Sequence, residues 1–113
     1  MRTQELTWTG ARGVVPAGPA MADAGLVLYF GNRASLARPG WFAELRRLYP
    51  HAIIAGCSSG GQIAAGDVND HHLAGVAITF QGTRLRSAQT LISGTGASRA
   101  CGSEIAHALD AVD

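Results

Sequence analysis

Two runs of apolar residues, separated by one amphipathic segment, place the strongest constraint on the fold of this chain. The first run is Leu-Val-Leu-Tyr-Phe at 26–30, and the second covers 52–57. A segment that is apolar at every position is typical of a strand covered on both faces. Residues 26–58 therefore have the composition and the length of a strand, a helix and a parallel strand joined by a crossover.

The segment between the two runs is predicted to be an amphipathic helix. Five apolar side chains recur at helical spacing: Trp41, Phe42, Leu45, Leu48 and Tyr49. Charged residues occupy the opposite side of this helix. Because Pro50 disfavours helical angles at the residue before it, the helix is expected to end there.

The flanking segments predict further strands and a second helix. Leu6 and Trp8 alternate with polar neighbours as in a short edge strand, with Trp8 covering the core. An apolar run at 73–80 and an alternating run at 84–91 are expected to pair antiparallel across a short turn. Ser98 can cap a final helix. The sequence thus predicts an α/β fold: a mixed sheet with a parallel strand-helix-strand unit, followed by antiparallel strands and a C-terminal helix.

The same pattern predicts a ligand site at one edge of the sheet. Parallel strands send their carboxyl ends to the same edge, and ligands of open sheets tend to bind outside those ends. The residues at the two predicted ends are Gly31, Asn32 and Arg33 and, after the second strand, Gly56, Cys57, Ser58, Ser59, Gly60, Gly61 and Gln62. Backbone N–H groups, hydroxyls and a guanidinium there favour a small polar or anionic ligand. Two plainer interpretations stay open: Gly60-Gly61 as a tight turn only, and Arg33 as the partner of a surface carboxylate.

Composition and charge argue against several classes of protein. The chain has 113 residues, enough for one domain, and its formal net charge of +1 argues against a nucleic-acid-binding surface. No apolar stretch has the length of a signal-peptide core or of a membrane span, so a cytoplasmic protein is expected. The two cysteines, Cys57 and Cys101, lack the spacing of a zinc site, and a disulfide between them stays open.

The carboxyl end of the sequence predicts an incomplete domain. Asp110 and Asp113 place negative charge at the end of the final helix, where the helix dipole disfavours it, and no cap or closing strand follows. We therefore expect residues 1–113 to be a single domain that is either a portion of a longer protein or a shortened form. Either one would leave a sheet edge or an apolar surface that needs a partner.

Four segments of the chain resemble the FIST N-terminal domain, a family of intracellular sensory modules. They are 26–31, 41–50, 54–63 and 68–73, and the most specific piece is Gly-Cys-Ser-x-x-Gly-x-Ile within the third. FIST proteins are usually much longer and carry a second, C-terminal FIST domain. The resemblance implies sensing of an amino-acid-like ligand, without catalysis, coupled to a histidine kinase or a cyclic-dinucleotide signalling enzyme.

This chain departs from the usual FIST loop, Gly-Cys-Ser-Thr-Ala-Gly-Glu-Ile, at three positions. Ser59, Gly60 and Gln62 stand where the family commonly has Thr, Ala and Glu. The amide at Gln62 removes a carboxylate that could recognise a ligand ammonium. The family's acidic pair before the third strand is reduced to Asp70, which is followed by His71.

Two other functions and one plainer role compete with ligand sensing. Some FIST proteins bind haem and sense nitric oxide. The candidate axial ligands for that cofactor are His71 and His72, with His51 and His107 as further candidates. Cys57 at a strand end is a candidate nucleophile, although the sequence identifies neither a base nor a third catalytic group. The plainer role is a packing and dimerisation domain that forms a homo-oligomer. The favoured prediction is a ligand-binding module without a metal or a cofactor.

Overall fold

The computed structural model of the chain describes residues 1–64, 66–69 and 72–110. The chain divides into two compact units, Met1–Thr83 and Arg84–Asp113. In chain order, the elements are strands β1 (Arg2–Thr9), β2 (Gly13–Pro16) and β3 (Leu26–Gly31), helices α1 (Arg33–Leu36) and α2 (Trp41–Leu48), strands β4 (Ile53–Ser58), β5 (Gln62–Ala64), β6 (Asp67–Asn69) and β7 (Leu73–Thr79), a short 3-10 helix (Thr95–Ala97), and helix α3 (Ser98–Asp110).

The first unit is built on a five-stranded sheet with the strand order β2-β1-β7-β3-β4. β3 and β4 are parallel, from Leu26 opposite Ile53 to Gly31 opposite Ser58, and the other neighbours are antiparallel. Because α2 connects β3 to β4, the predicted strand-helix-strand unit is confirmed. The α/β class, with a mixed sheet and a C-terminal helix, is confirmed as well.

α2 ends where the sequence predicts. Tyr49 leaves helical angles, with φ at −126°, directly before Pro50. The guanidinium of Arg46 in the last turn then donates hydrogen bonds to the carbonyls of Pro50 at 3.2 Å and Ala52 at 2.8 Å. These two bonds satisfy carbonyls after the helix end and connect α2 to the start of β4.

One face of the sheet packs against α2 and holds the core. Leu6, Val27 and Ala77 lie on three neighbouring strands and are buried on this face. The ring of Tyr29, which lies on the same face, contacts Trp41 of α2 with ring centroids 4.7 Å apart. Removal of these apolar surfaces from water is the main contribution that stabilises the first unit.

A buried polar contact joins β1 to the end of α2. The hydroxyl of Tyr49, which is fully buried, donates to Gln4 Oε1 at 2.9 Å. The same oxygen accepts from the backbone N–H of Met21 at 3.2 Å, and Gln4 Nε2 donates to the carbonyl of Pro19 at 2.8 Å. Burial raises the pKa of Tyr49 above its ordinary value. Gln4 thus connects β1, the segment before β3 and α2.

Two predicted details of the sheet are wrong. Leu6 and Trp8 do not lie on an edge strand, because Gly13–Pro16 returns as an outer strand and β1 is paired on both sides. Trp8 is buried, as predicted. Residues 84–91 form no strand against β7, because β1 and β3 already occupy both of its edges. Pairing with these two neighbours leaves no free backbone groups for a third strand.

A separate two-stranded sheet follows β4. β5 and β6 pair antiparallel, with Ile63 directly opposite Val68. Both side chains are largely exposed, at 76% and 74%. An exposed pair of this kind on a short hairpin is available for contact with another molecule.

The second unit consists of an irregular segment, the 3-10 helix and α3. The guanidinium of Arg86 donates to the carbonyl of Leu109 at 2.8 Å, which holds the irregular segment against α3. The predicted final helix is confirmed, and the hydroxyl of Ser98 at its start donates to the carbonyl of Thr95 at 2.9 Å. Asp113, one of the two acidic residues behind the expectation of an incomplete domain, lies outside the described residues. Within the described ranges, no helix is both long enough and apolar enough to cross a membrane.

Candidate functional site

The carboxyl ends of β3 and β4 lie side by side, as the sequence predicts. Gly31 is the register partner of Ser58, and the backbone N–H of Ser59 donates to the carbonyl of Gly31 at 2.8 Å. The two predicted groups of site residues, 31–33 and 56–62, are therefore brought to the same edge of the sheet. This edge is where open sheets commonly bind ligands.

Two glycines at this edge are required by packing within the protein. A Cβ atom on Gly31 would overlap the side chain of Leu73, and a Cβ atom on Gly56 would overlap the backbone carbonyl of Tyr29. A Cβ atom on Gly60, in contrast, would have no neighbour within 4 Å. The main chain at Gly60 is therefore accessible to a ligand, whereas the other two glycines allow close packing of the sheet.

Asn32 has a structural role at the end of β3. It is the N-cap of α1, and its Oδ1 accepts a hydrogen bond from the backbone N–H of Ser35 at 2.7 Å. Arg33 is the first residue of α1 and is exposed. Because Asn32 caps α1 directly after β3, the position of Arg33 relative to the sheet edge is fixed.

The loop after β4 is held by its own hydrogen bonds. The hydroxyl of Ser59 donates to the carbonyl of Gly61 at 2.7 Å and accepts from the N–H of Gly61 at 3.3 Å. Gln62 is buried, with 4% of its surface exposed, and its amide donates to the carbonyl of Ser59 at 3.4 Å. A loop that is already ordered loses less entropy when a ligand binds.

Cys57 lies on the face of the sheet away from α2. Its register partner on β3 is Phe30, and side chains alternate along a strand, so both project to the face opposite Tyr29. Cys57 is exposed, and Phe30 is 42% exposed. Both Cys57 and Cys101 are free thiols, so the disulfide that the sequence left open is not formed.

The same face carries a groove that the sequence pattern did not predict. Its volume is about 340 Å³. The groove is lined by Thr3, Glu5, Phe30, Ile63, Ala74 and Val76, together with the backbone of Gly75. It combines a carboxylate and a hydroxyl from β1 with apolar side chains from three other strands. Since Phe30 directly precedes Gly31, the groove adjoins the predicted edge.

Sequence reasoning missed Thr3 and Glu5 because their position depends on a long-range pairing. Their alternation with Gln4 and Leu6 does indicate a strand with one polar face. Only the pairing of β1 with β7, which sets Glu5 opposite Val76, places this polar face beside Phe30. No local pattern in residues 2–9 specifies which strand will be the neighbour.

Of the two adjacent histidines named first as candidate haem ligands, one lies in the described residues. His71 lies outside the described residues, and so does Asp70. His72 is partly buried and directly precedes β7. In the part of the chain that the structure describes, no group of three or more His, Cys, Asp or Glu residues could hold a metal ion. Haem binding stays an alternative to the predicted module without a cofactor.

Comparison with known proteins identifies a family for this sheet and its loops. The family model described as FIST N domain matches residues 25–112. No curated protein and no solved structure matches the chain significantly. The matched range begins directly before β3 and includes both strand ends, the loop after β4 and the hairpin.

Proposed function

The chain belongs to the family of FIST N domains, which are sensory domains of signal transduction proteins, and on this premise we propose that it binds a small amino-acid-like ligand. Binding is then passed on to a histidine kinase or to a cyclic-dinucleotide signalling enzyme. The family is not known for catalysis, and the absence of catalysis in this chain stays a prediction.

The observation that carries the proposal is the groove of about 340 Å³ beside the edge formed by β3 and β4. Its volume lies at the lower end of the range for small-molecule sites, and its lining is mainly apolar with a few polar groups. Phe30 and Ile63 are 42% and 76% exposed, so a ligand that covers them removes apolar surface from water. The groove therefore favours a small ligand with an apolar body.

Two charged side chains favour a ligand that carries both an ammonium and a carboxylate group, as an amino acid does. Glu5 lines the groove and supplies a carboxylate that can pair with an ammonium group. Arg33 begins α1 three residues after Phe30, and its exposed guanidinium can pair with a ligand carboxylate. The accessible main chain at Gly60 adds backbone N–H donors at the same edge. In this proposal, Glu5 supplies the carboxylate that the chain lacks at Gln62.

The β5–β6 hairpin is the element that we expect to transmit binding. Ile63 forms one wall of the groove although most of its side chain is exposed. A ligand in the groove would cover that side chain and hold the hairpin in one arrangement. A partner that contacts the hairpin would then distinguish the bound from the free state by its differential affinity.

A thermal-shift screen of the twenty amino acids, with short amines and carboxylates as partial ligands, tests the proposal. A ligand at 100 times its Kd stabilises the folded state by about 2.7 kcal/mol, which raises Tm by roughly 10 °C. Glu5→Gln and Arg33→Ala should remove the shift. Glu44→Gln and Arg47→Ala are the controls. They change the same residue types on α2 and should leave the Tm shift unchanged.

A second pair of variants tests the wall of the groove. Ile63→Ala should weaken binding by about 1–2 kcal/mol, since three carbon atoms lose contact with the ligand. Val68→Ala is the matched control, because Val68 is equally exposed and lies directly opposite Ile63 on the hairpin. Equal affinity in both variants, or no Tm shift with any compound, would show that the groove is not the ligand site.

A further inference from the structure

We propose that β4 is a dimerisation edge, which pairs antiparallel with β4 of a second copy of the chain around a two-fold axis at Gly56. β4 is the outermost strand on its side of the sheet. Among the described residues no further strand pairs with it, so every second residue of β4 (Ile53–Ser58) presents backbone N–H and C=O groups at this edge. The proposal concerns the first unit only and does not depend on ligand binding.

The direction of the backbone groups follows from two hydrogen bonds to β3. The N–H of Ile53 donates to Gly25 at 2.9 Å, and the N–H of Ser59 donates to Gly31 at 2.8 Å. Successive residues of a strand point their N–H and C=O groups to opposite sides, so odd-numbered residues of β4 face β3. The residues whose backbone groups face away from the sheet are Ile54, Gly56 and Ser58.

The two outer strands of the sheet differ in how they resist further pairing. β2 has only four residues, begins at a glycine with φ of 70°, and ends at Pro16, which cannot donate a hydrogen bond. β4 has six residues and contains neither proline nor a charged side chain. Its last four residues, 55–58, are exposed. Of the two edges, only β4 is suited to accept another strand.

The pattern of outward groups is symmetric, which favours a second copy as the occupant. With the axis at Gly56, Ile54 of one copy exchanges hydrogen bonds with Ser58 of the other, and the two Gly56 residues exchange hydrogen bonds with each other. All outward N–H and C=O groups of β4 are satisfied in this register. Shifting it by two residues would leave some of them unpaired.

Side chains and net charge also permit this pairing. Ala55 of one copy lies opposite Cys57 of the other, so small side chains meet across the axis. No like charges face each other on β4, and a net charge of +1 for each copy gives little mutual repulsion. Because the contact is one strand wide, we expect a dimer that dissociates on dilution.

Sedimentation velocity over a range of protein concentrations, without added ligand, tests the dimer. The mass should rise from 11.7 kDa towards twice that value as the concentration increases. Ser58→Pro should keep the chain monomeric. It removes the N–H that would bond to the second copy, and its pyrrolidine ring would clash with the partner strand. The Ser58 N–H does not bond to β3, so tryptophan fluorescence and urea unfolding of this variant should match those of the wild type.

A disulfide reports the register directly. In the Cys101→Ser background, Ala55→Cys should form a covalent dimer between residue 55 of one copy and Cys57 of the other, since these positions form a closely spaced non-hydrogen-bonded pair. The additional change Cys57→Ser should abolish that dimer. Without Ala55→Cys, the two Cys57 residues lie too far apart to bridge. A monomer at every concentration, a dimer that Ser58→Pro leaves intact, or a bridge between two copies of residue 55 would overturn the proposal.

Discussion

The substitution Tyr49→Phe tests how the buried hydrogen bond between Tyr49 and Gln4 contributes to stability. It removes a hydroxyl that donates to Gln4 Oε1 at 2.9 Å and leaves the aromatic ring in place. Gln4 Oε1 still accepts from the N–H of Met21 at 3.2 Å, so no buried acceptor loses its last partner. The cost should therefore be that of one net hydrogen bond, about 1 kcal/mol, or roughly 4 °C in Tm.

The same substitution should change the dependence of stability on pH. Burial raises the pKa of Tyr49 in the folded state, so its contribution is fully present below the unfolded value of about 10 and is lost as the pH rises above it. The wild type should therefore lose stability at alkaline pH through this residue, and Tyr49→Phe should not. The difference between the two proteins should shrink above pH 10.

Urea unfolding at pH 7 and at several pH values up to about 11 measures both effects. Trp8 and Trp41 are buried in the first unit, so their fluorescence follows its unfolding. Tyr29→Phe, which removes the other tyrosine hydroxyl, is the control and should keep the alkaline loss due to Tyr49. Equal stability of Tyr49→Phe and wild type at pH 7, together with a constant difference at higher pH, would refute the reasoning.

Substitutions at four further positions separate the structural roles at the core and the sheet edge. Asn32→Ala should cost about 1 kcal/mol in urea unfolding through loss of the α1 cap, and Asn32→Asp should restore most of it. Gly56→Ala should lower Tm through overlap with the carbonyl of Tyr29, at a cost of about 1–3 kcal/mol, whereas Gly60→Ala should stay within about 0.5 kcal/mol of the wild type. Leu45→Ala should cost about 2–5 kcal/mol, because Leu45 is only 2% exposed; a urea midpoint close to that of the wild type would contradict its place in the core.

The parallel unit was predictable because its signals are local. The apolar run at 26–30, the helical spacing from Trp41 to Tyr49 and the stop at Pro50 each identify one element from adjacent residues. A connection of this length that contains a helix is typical of two parallel strands, and consecutive strands are usually neighbours. Adjacency of the strand ends follows from that geometry, and the bond from Ser59 to Gly31 confirms it.

The order of the remaining strands was not predictable by the same means. β7 inserts between β1 and β3, and its partners lie about 70 and 50 residues earlier in the chain. A hairpin with residues 84–91 had better local support, yet it competes with two long-range pairings that occupy both edges of β7. The groove was missed for the same reason, since Glu5 and Phe30 share a face only through β7.

The candidate site shows that one residue type can serve two roles. Gly31 and Gly56 were predicted as ligand-site residues, which stays a prediction, and the structure shows that both allow close packing of the sheet. Sequence alone cannot separate these two uses of glycine, because both require only the absence of a side chain. Arg33 and Gly60 are exposed, and their roles in ligand binding stay predictions.

The position of β1 has a practical consequence for protein production. The family match starts at residue 25, but β1 ends at Thr9 and lies in the interior of the sheet. A gene fragment cut at the family boundary would delete β1 and β2, and the whole edge of β7 that faces β1 would be open to solvent. Such a fragment should be insoluble or aggregated on expression, and an expression clone should therefore start no later than Arg2.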